Sequence, residues 1–385
     1  MLSIVPGMMN SVFGIQYTVI ENIFNMGWDM SQFKYKFDFL EDPDNPIHGE
    51  LTLDEPTAFE DKAGNAGFSR RGTLLVNGYQ NLDMVFYHNR ATEKFIYLRE
   101  ARVDDKFLEL IGVDEGSANN SESQTLPGQL CLGAERSCLI GEAMAHIFSS
   151  PLIHDSVCKY GQHNLAVFPI AREGLKYQVT DALFTNYGYY CDEVVLDAHH
   201  VFDSSVPVYN RTVELTLFKD KDLDQHQKEN ITVAFLADSI ASGLVMKEVI
   251  ARVSERFENL ERIEVVSPLA TIRGLCRLAQ AETARRVNLR VHIFETILNA
   301  LPPDFYYSAH YKNPGFHIMP DLEKAYREWW GVDEDGIEIA DTACAGFGWS
   351  EVFYSPRKQI QMMNSQLGSR HGLGIADIVK RNMRI

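Results

Sequence analysis

The chain has 385 residues, of which 45% are hydrophobic and 23% charged, with a formal net charge of −17. That is the composition of a globular protein with room for two domains, or for one large domain with appendages. The acidic balance argues against a nucleic-acid surface, where counterion release rewards Lys and Arg. A small anionic ligand stays open to it, because one Arg and a few backbone N–H groups suffice locally.

No apolar run reaches the length of a membrane span. The opening stretch MLSIVPGMMNSVFGIQYTVIEN is apolar but has no basic leader, so no secretory signal is expected. Cys131, Cys138, Cys158, Cys191, Cys276 and Cys344 are scattered without a C-x-x-C pair. This suits reduced thiols in a cytoplasmic chain better than a disulfide frame or a structural zinc site.

In chain order, GTLLVNGYQNLDMVFYH (72–88) predicts two strands about an Asn-Gly turn, and KFIYLRE a further strand. Residues 1–111 are therefore expected to form an accessory α+β domain. The polar stretch GVDEGSANNSESQTLPGQ within 112–129 reads as a linker. From 130 to 331 the rhythm changes. ERSCLIGEAMAHIF has helical spacing, NLAVFPI (164–170) is a short buried strand, and LKYQVTDALF is helical. EVVLDAHHVF, ITVAFLA (231–237), RIEVVSP (262–268) and LRVHIFE (289–295) predict strands, with helices after ITVAFLA and across 272–284. Such alternation predicts an α/β fold with a mostly parallel sheet flanked by helices. Ligands of these sheets bind at the carboxyl ends of the strands, which directs attention to the loops after Ile170, Ala237 and Val266. Residues 332–385 read as a C-terminal extension of glycine-rich turns around aromatic and helical pieces.

Two of those loops carry chemistry. VAFLADSIASGLVM (233–246) runs from a strand into Asp238, Ser239, Ala241, Ser242 and Gly243 before a helix. Small residues there let backbone N–H groups converge on a phosphate at the helix N-terminus, with serine hydroxyls as further donors. Asp238 is placed to accept from two adjacent sugar hydroxyls. Taken alone, the plainer reading is a strand, an N-cap serine and an ordinary helix, with Asp238 serving the helix dipole. FPIAREGLKYQV (168–179) puts Arg172, Glu173 and Gly174 in the turn after a buried strand. Arg suits phosphate, and Gly174 permits close backbone approach. The plainer reading is an exposed turn with a solvated Arg–Glu pair.

Together these stretches resemble the type I phosphoribosyltransferases, and most closely the uracil phosphoribosyltransferase branch. FPIAREGL is similar to that branch's VPILRAGL-like turn, and LADSIASGLV to its LDPMLATGGT-like loop. VVSPLATIRGLCRLAQ follows the pattern of a small-residue loop with a glycine before the next helix, and NPGFHIMPD (313–321) resembles the base-binding segment. The resemblance implies transfer of ribosyl 5-phosphate from phosphoribosyl pyrophosphate to a nitrogen heterocycle or related acceptor, with magnesium (Mg2+) as cofactor. It implies that Arg172 and the backbone near Gly174 hold pyrophosphate, that Ala241, Ser242 and Gly243 hold the 5-phosphate, and that Asp238 holds the ribose. Pro314, Gly315 and Phe316 would frame the base. The expected partner is a small-molecule substrate, without nucleic acid or membrane, and a homodimer is compatible with this class.

The chain departs from that pattern in places. Ala237 stands where the family's loop opens with an acid, His199 and His200 lie where an Arg is expected, and the acid of the base-binding segment is displaced to Asp321. These departures keep a second reading open, a catalytically silent nucleotide-binding regulator or assembly module. A third is an unrelated α/β enzyme with Cys344 as nucleophile and His371 or His310 as base. PPDFYYSAHYKNP (302–314), aromatic and prolyl, reads as a lid or as a packed loop.

Overall fold

The computed structural model of the chain describes residues 33–42, 45–113, 123–171, 173–205, 211–221, 223–298, 315–334, 336, 338–339 and 355–383. In chain order the first strands are β1 (Phe33–Asp42), β2 (Asn45–Leu53), β3 (Thr57–Glu60), β4 (Ala66–Val76) and β5 (Gln80–Asn89). The β4–β5 turn is the expected Asn-Gly turn, with φ of 51° at Asn77 and 79° at Gly78. Two positive φ values in succession suit the right-handed twist of a hairpin.

KFIYLRE departs from expectation. Its first residues end a helix, Arg90–Ile96, and only then does β6 (Leu98–Arg102) begin, paired with β7 (Ser123–Pro127). The cause is a capping box: the Asn89 side chain accepts from Thr92 N–H, and the Thr92 hydroxyl accepts from Asn89 N–H. Two otherwise orphan donors are satisfied, which starts a helix where β-propensity alone reads strand.

The α/β region follows with β8 (Leu165–Pro169), β9 (Asp192–Glu193), β10 (Leu196–His200), β11 (Val213–Phe218), β12 (Val233–Ala237), β13 (Arg262–Val266), β14 (Ala270–Thr271), β15 (Asn288–Phe294), β16 (Thr296–Leu298) and β17 (Phe316–His317). The main sheet has ten strands in the order β1-β2-β4-β5-β15-β13-β12-β8-β9, with β3 on β4. From β9 through β8, β12, β13 and β15 to β5 every pair is parallel, while β4, β2, β1 and β3 add antiparallel ladders. β5 pairs in parallel with β15, so one mixed sheet runs through both the 1–111 and the 130–331 regions.

Helices cover both faces. Along β12, Val233, Phe235 and Ala237 enter one apolar cluster and Ala234 and Leu236 the other, as alternation along a strand requires. All five residues of β8 and of β12 are buried, the mark of central strands of a parallel sheet. Helices Ala134–Ile147 and Val179–Tyr187 contribute to the first cluster, and Leu244–Arg256 and Ile272–Gln280 to the second. Among the described residues, no helix is long and apolar enough to cross a membrane.

A polar chain crosses the sheet interior. Tyr87 O–H meets His292 Nδ1 at 2.8 Å, His292 Nε2 meets Glu264 Oε2 at 2.8 Å, and Ser156 donates to Glu264 Oε1 at 2.7 Å. Glu264 and His292 are fully buried. Burial pushes both groups toward neutrality, but the His292 hydrogen bond and the nearby Arg290 hold the Glu264 carboxyl below its ordinary range. Burial keeps His292 below its own. The pair is therefore a carboxylate accepting from a neutral imidazole, and Tyr87 donates to the other ring nitrogen.

Candidate functional site

The parallel set changes direction at β8. The next strand in the chain, β9, lies on one side of it and β12 on the other, so the loops leaving β8 and β12 part from each other. A crevice outside the carboxyl ends of two such strands is where open α/β sheets place ligands. β13 is parallel to both, so the loops after Ile170, Ala237 and Val266 share that edge, as the alternation predicts.

The loops are packed on one another through glycines. A Cβ at Gly174 would stand 1.9 Å from the Ala237 carbonyl oxygen, so the close approach that this glycine permits is to the end of β12. Gly243 has φ +75°, and a Cβ there would meet the Gly274 carbonyl at 2.7 Å. Conversely, a Cβ at Gly274 would meet the Ala241 oxygen at 2.5 Å. The 238–243 loop thus lies backbone to backbone on the start of helix Ile272–Gln280.

Side chains fasten the same loop by its carbonyls. Thr271 Oγ1 donates to the Ala241 oxygen at 2.6 Å and accepts from Gly274 N–H at 2.9 Å. The buried Arg277 guanidinium donates to the Ser242 oxygen. Ile240 is bridged to Ala270, exchanging hydrogen bonds with Leu269 and Thr271. Helix Leu244–Arg256 begins at Gly243 with no side-chain cap on its N-cap residue, and Ser242 Oγ reaches Leu244 N–H only at 3.4 Å. Among the described residues the N–H groups of Ala241, Ser242 and Gly243 meet no acceptor. Carbonyls are spent inward and N–H groups remain, the polarity that an anion needs.

Ser239 differs from expectation. Its hydroxyl donates to Glu173 Oε1 at 3.1 Å and lies against the Tyr177 hydroxyl, which donates to the same carboxylate oxygen at 2.7 Å. That hydroxyl is bound to the protein's own carboxyl rather than turned to a phosphate. Glu173 is correspondingly no solvated turn residue: it is 4% exposed. Burial raises its carboxyl above the ordinary range, against the hydrogen bonds of Tyr177 and Ser239 and the charge of buried Arg136. Asp238 is half-buried at the mouth of the loop, its N–H toward the Val266 oxygen at 3.4 Å. Lys176, half-buried in the same turn, is a cation that spacing did not single out.

Arg172, Pro314, Cys344, His310 and the 302–314 stretch lie outside the described residues. Gly315 precedes β17, which joins β16 and, through it, β14. Phe316 is 4% exposed, and its ring packs 5.3 Å from Tyr35 and 5.6 Å from Phe86, between centroids. Its ring belongs to the second apolar cluster. His199 and His200 are consecutive residues of β10, at the edge of a two-stranded sheet with β11.

A separate cavity of about 630 Å³ lies where β5 ends, lined by Phe68, His88, Asn89, Arg90, Lys94 and Leu98 among others. His88 Nδ1 meets Glu295 Oε2 at 3.0 Å, and Thr92 Oγ1 donates to Glu295 Oε1. Glu295 is fully buried and holds φ +51°, a left-handed conformation costly for a side-chain-bearing residue. This pair lies outside the stretches that sequence reasoning picked, since His88 reads as one more residue of a strand.

No protein-family model matches the chain. No curated protein matches it either. Among solved structures the chain is similar to an adenine phosphoribosyl transferase from Trypanosoma brucei in complex with AMP, pyrophosphate and ribose-5-phosphate. The identity is 9%, the match covers 55% of this chain and 83% of that one, and the TM-score is 0.32, a likeness too distant to assign a family.

Proposed function

We propose that the crevice between β8 and β12 binds phosphoribosyl pyrophosphate, and that the chain transfers its ribosyl 5-phosphate to a nitrogen heterocycle or related acceptor. The observation that carries this reading is the 238–243 loop at the switch point, carbonyls tied back by Thr271 and Arg277 and N–H groups of Ala241, Ser242 and Gly243 unspent. The 5-phosphate takes those N–H groups, and the Asp238 carboxylate accepts from the ribose hydroxyls. In this reading Arg172 and Lys176 supply the positive charge for the pyrophosphate. In the reaction the bond from the ribose anomeric carbon to pyrophosphate oxygen breaks, the electron pair leaves with pyrophosphate, and the acceptor nitrogen bonds to that carbon and gives up its proton to solvent. The protein's part is to orient the two and to stabilise the departing charge.

Among the described residues no group of three metal ligands lies at this crevice. The residues present fit magnesium only as an ion held mainly by the substrate's phosphate oxygens, with Asp238 as the loop's own carboxylate. Bound in that way, it would offset charge on pyrophosphate.

The test is pyrophosphate release from a panel of purines, pyrimidines and related heterocycles, with and without magnesium. Arg172→Ala should lower turnover on the order of a hundredfold, the worth of a charge-assisted contact at a closed site. Binding of a nucleoside monophosphate, which lacks pyrophosphate, should change much less. The Ser239–Glu173 bond and Ala237 favour the second reading, a silent nucleotide-binding module. Wild-type protein that binds a nucleoside monophosphate but releases no pyrophosphate from any acceptor would replace the first reading by the second.

A further inference from the structure

A different part of the molecule carries a separate inference. We propose that His317, Glu323 and Glu338 form a site for a divalent transition metal of zinc's ligand preference. One ligand atom from each lies within 4.8 Å of the other two. None of the three belongs to the loops at the β8–β12 crevice, so this inference is independent of the proposed function.

The geometry between the ligands is the first argument. His317 Nε2 stands 3.8 Å from Glu338 Oε1. That is too long for a hydrogen bond. It is close to the roughly 3.4 Å that separates two ligands of a tetrahedral zinc with bonds of about 2.0–2.2 Å. His317 Nδ1 lies 3.2 Å from the Tyr97 hydroxyl. An Nδ1–H donated to that oxygen leaves the lone pair on Nε2 and fixes the ring, as outer partners of metal-bound histidines do.

The second argument is an unmet acceptor. Glu338 is 1% exposed, and its Oε2 is buried with no hydrogen-bond partner among the described residues. Leaving a carboxylate oxygen so placed is costly. Arg327 does not resolve it. A single Nη1 is shared between Glu338 Oε1 at 3.2 Å and Glu323 Oε1 at 3.4 Å, while Nη2 donates to the Gly336 oxygen. Two carboxyl groups share the one guanidinium, and a divalent ion would be the second cation between them.

Ligand type selects the ion. One imidazole and two carboxylates suit zinc or its neighbours, whereas magnesium and calcium prefer oxygen alone. Glu323 is partly exposed, so solvent would reach the fourth position. The ion would tie Glu338 to β17 and to the first turn of helix Pro320–Trp330.

The experiment strips the full chain with a chelator, then titrates it with zinc sulfate in competition with a chromophoric chelator, and counts bound metal by mass spectrometry. One zinc per chain and a higher Tm with zinc are expected. His317→Ala should abolish uptake, and Glu323→Gln should weaken it by at least about tenfold. His226→Ala, an exposed histidine elsewhere, should leave it unchanged. If His317→Ala does not fold, Glu323→Gln decides, because that side chain is half-exposed and its amide keeps the shape. The proposal is overturned if wild type takes up no stoichiometric zinc. It is equally overturned if Glu323→Gln binds as wild type does, or if magnesium binds as tightly as zinc.

Discussion

Gly243 and Gly274 touch backbone to backbone, and neither position has room for a Cβ. A substitution at Gly243 therefore acts on the loop before it acts on any ligand, since the new side chain would strike Gly274 rather than enter the crevice. Gly274→Ala should destabilise by about 1–3 kcal/mol, the usual cost of overpacking, and should weaken binding of a ribosyl 5-phosphate ligand. Gly243→Ala carries the added strain of φ +75° and should cost more. Gly188→Ala is the control: its φ of 69° and ψ of 22° are left-handed but a Cβ there meets nothing within 4 Å, so it should cost only about 1 kcal/mol. Urea midpoints and calorimetric affinities for the three variants measure this order. Equal effects at Gly188 and Gly274 would remove the packed-loop argument.

Glu173 makes the neighbouring turn sensitive to pH. Its carboxyl is raised by burial, so the folded state favours the protonated form more than the unfolded state does. Stability from this group is present at low pH and is lost as pH rises past the ordinary Glu value of about 4.3 toward the raised one. Glu173→Gln should flatten that part of the stability profile. The same variant should strengthen inorganic pyrophosphate binding at neutral pH, because it removes any negative charge beside the proposed anion site. Denaturant titrations across pH 4–8 and pyrophosphate calorimetry test both effects. An unchanged slope in the variant would mean that another group carries the dependence.

Much of the fold was legible because it rests on local pattern. VAFLA and LAVFP are apolar runs bounded by turn residues, and both became central parallel strands. The pairing of β5 with β15 was not legible, because it joins segments about 200 residues apart with no local signal. Within the site, Asp238 to Gly243 could be read as a loop between strand and helix. The inward turn of Ser239 could not, since its cause is a carboxyl 66 residues away. Glu173 misled for the same reason. Between Arg172 and Gly174 it has the look of a turn residue, and only Tyr177, Ser239 and Arg136 closing over it make it a core group.

The buried chain through His292 and Glu264 should dominate acid sensitivity. Glu264 is held below its ordinary range in the folded protein. Its contribution is therefore present above the unfolded value of about 4.3 and is lost as pH falls through the folded one. Glu264→Gln leaves His292 facing an amide and Arg262 without its carboxylate at 3.3 Å. A loss of about 3–5 kcal/mol is expected, as when one partner of a buried pair is removed. Ser156→Ala removes one donor and should cost about 1–3 kcal/mol. Chemical denaturation at pH 7 and pH 4 measures both, and a mild Glu264→Gln would show that the chain is not a source of stability.

His88 gives the opposite sign. Burial pulls its imidazole down, but the charge and hydrogen bond of Glu295 outweigh burial, and the folded pKa stands above the ordinary value. Stability from the pair is fully present below the unfolded His value of about 6.5 and is lost as pH rises through the folded one. Glu295→Gln removes the charge while keeping an acceptor for Thr92, so burial alone then acts on His88. The His88 titration should move below its ordinary value, and the variant should be less stable by about 1.5–3 kcal/mol at pH 6, the worth of a hydrogen bond to a charged group. The difference between wild type and variant should be smaller at pH 9 than at pH 6, because stability from the pair is lost as pH rises through the folded pKa. NMR titration of the His88 ring, with urea unfolding at the two pH values, tests the pair. A His88 that titrates identically in both proteins would show that Glu295 does not set its charge, and the left-handed backbone at Glu295 would then need another cause.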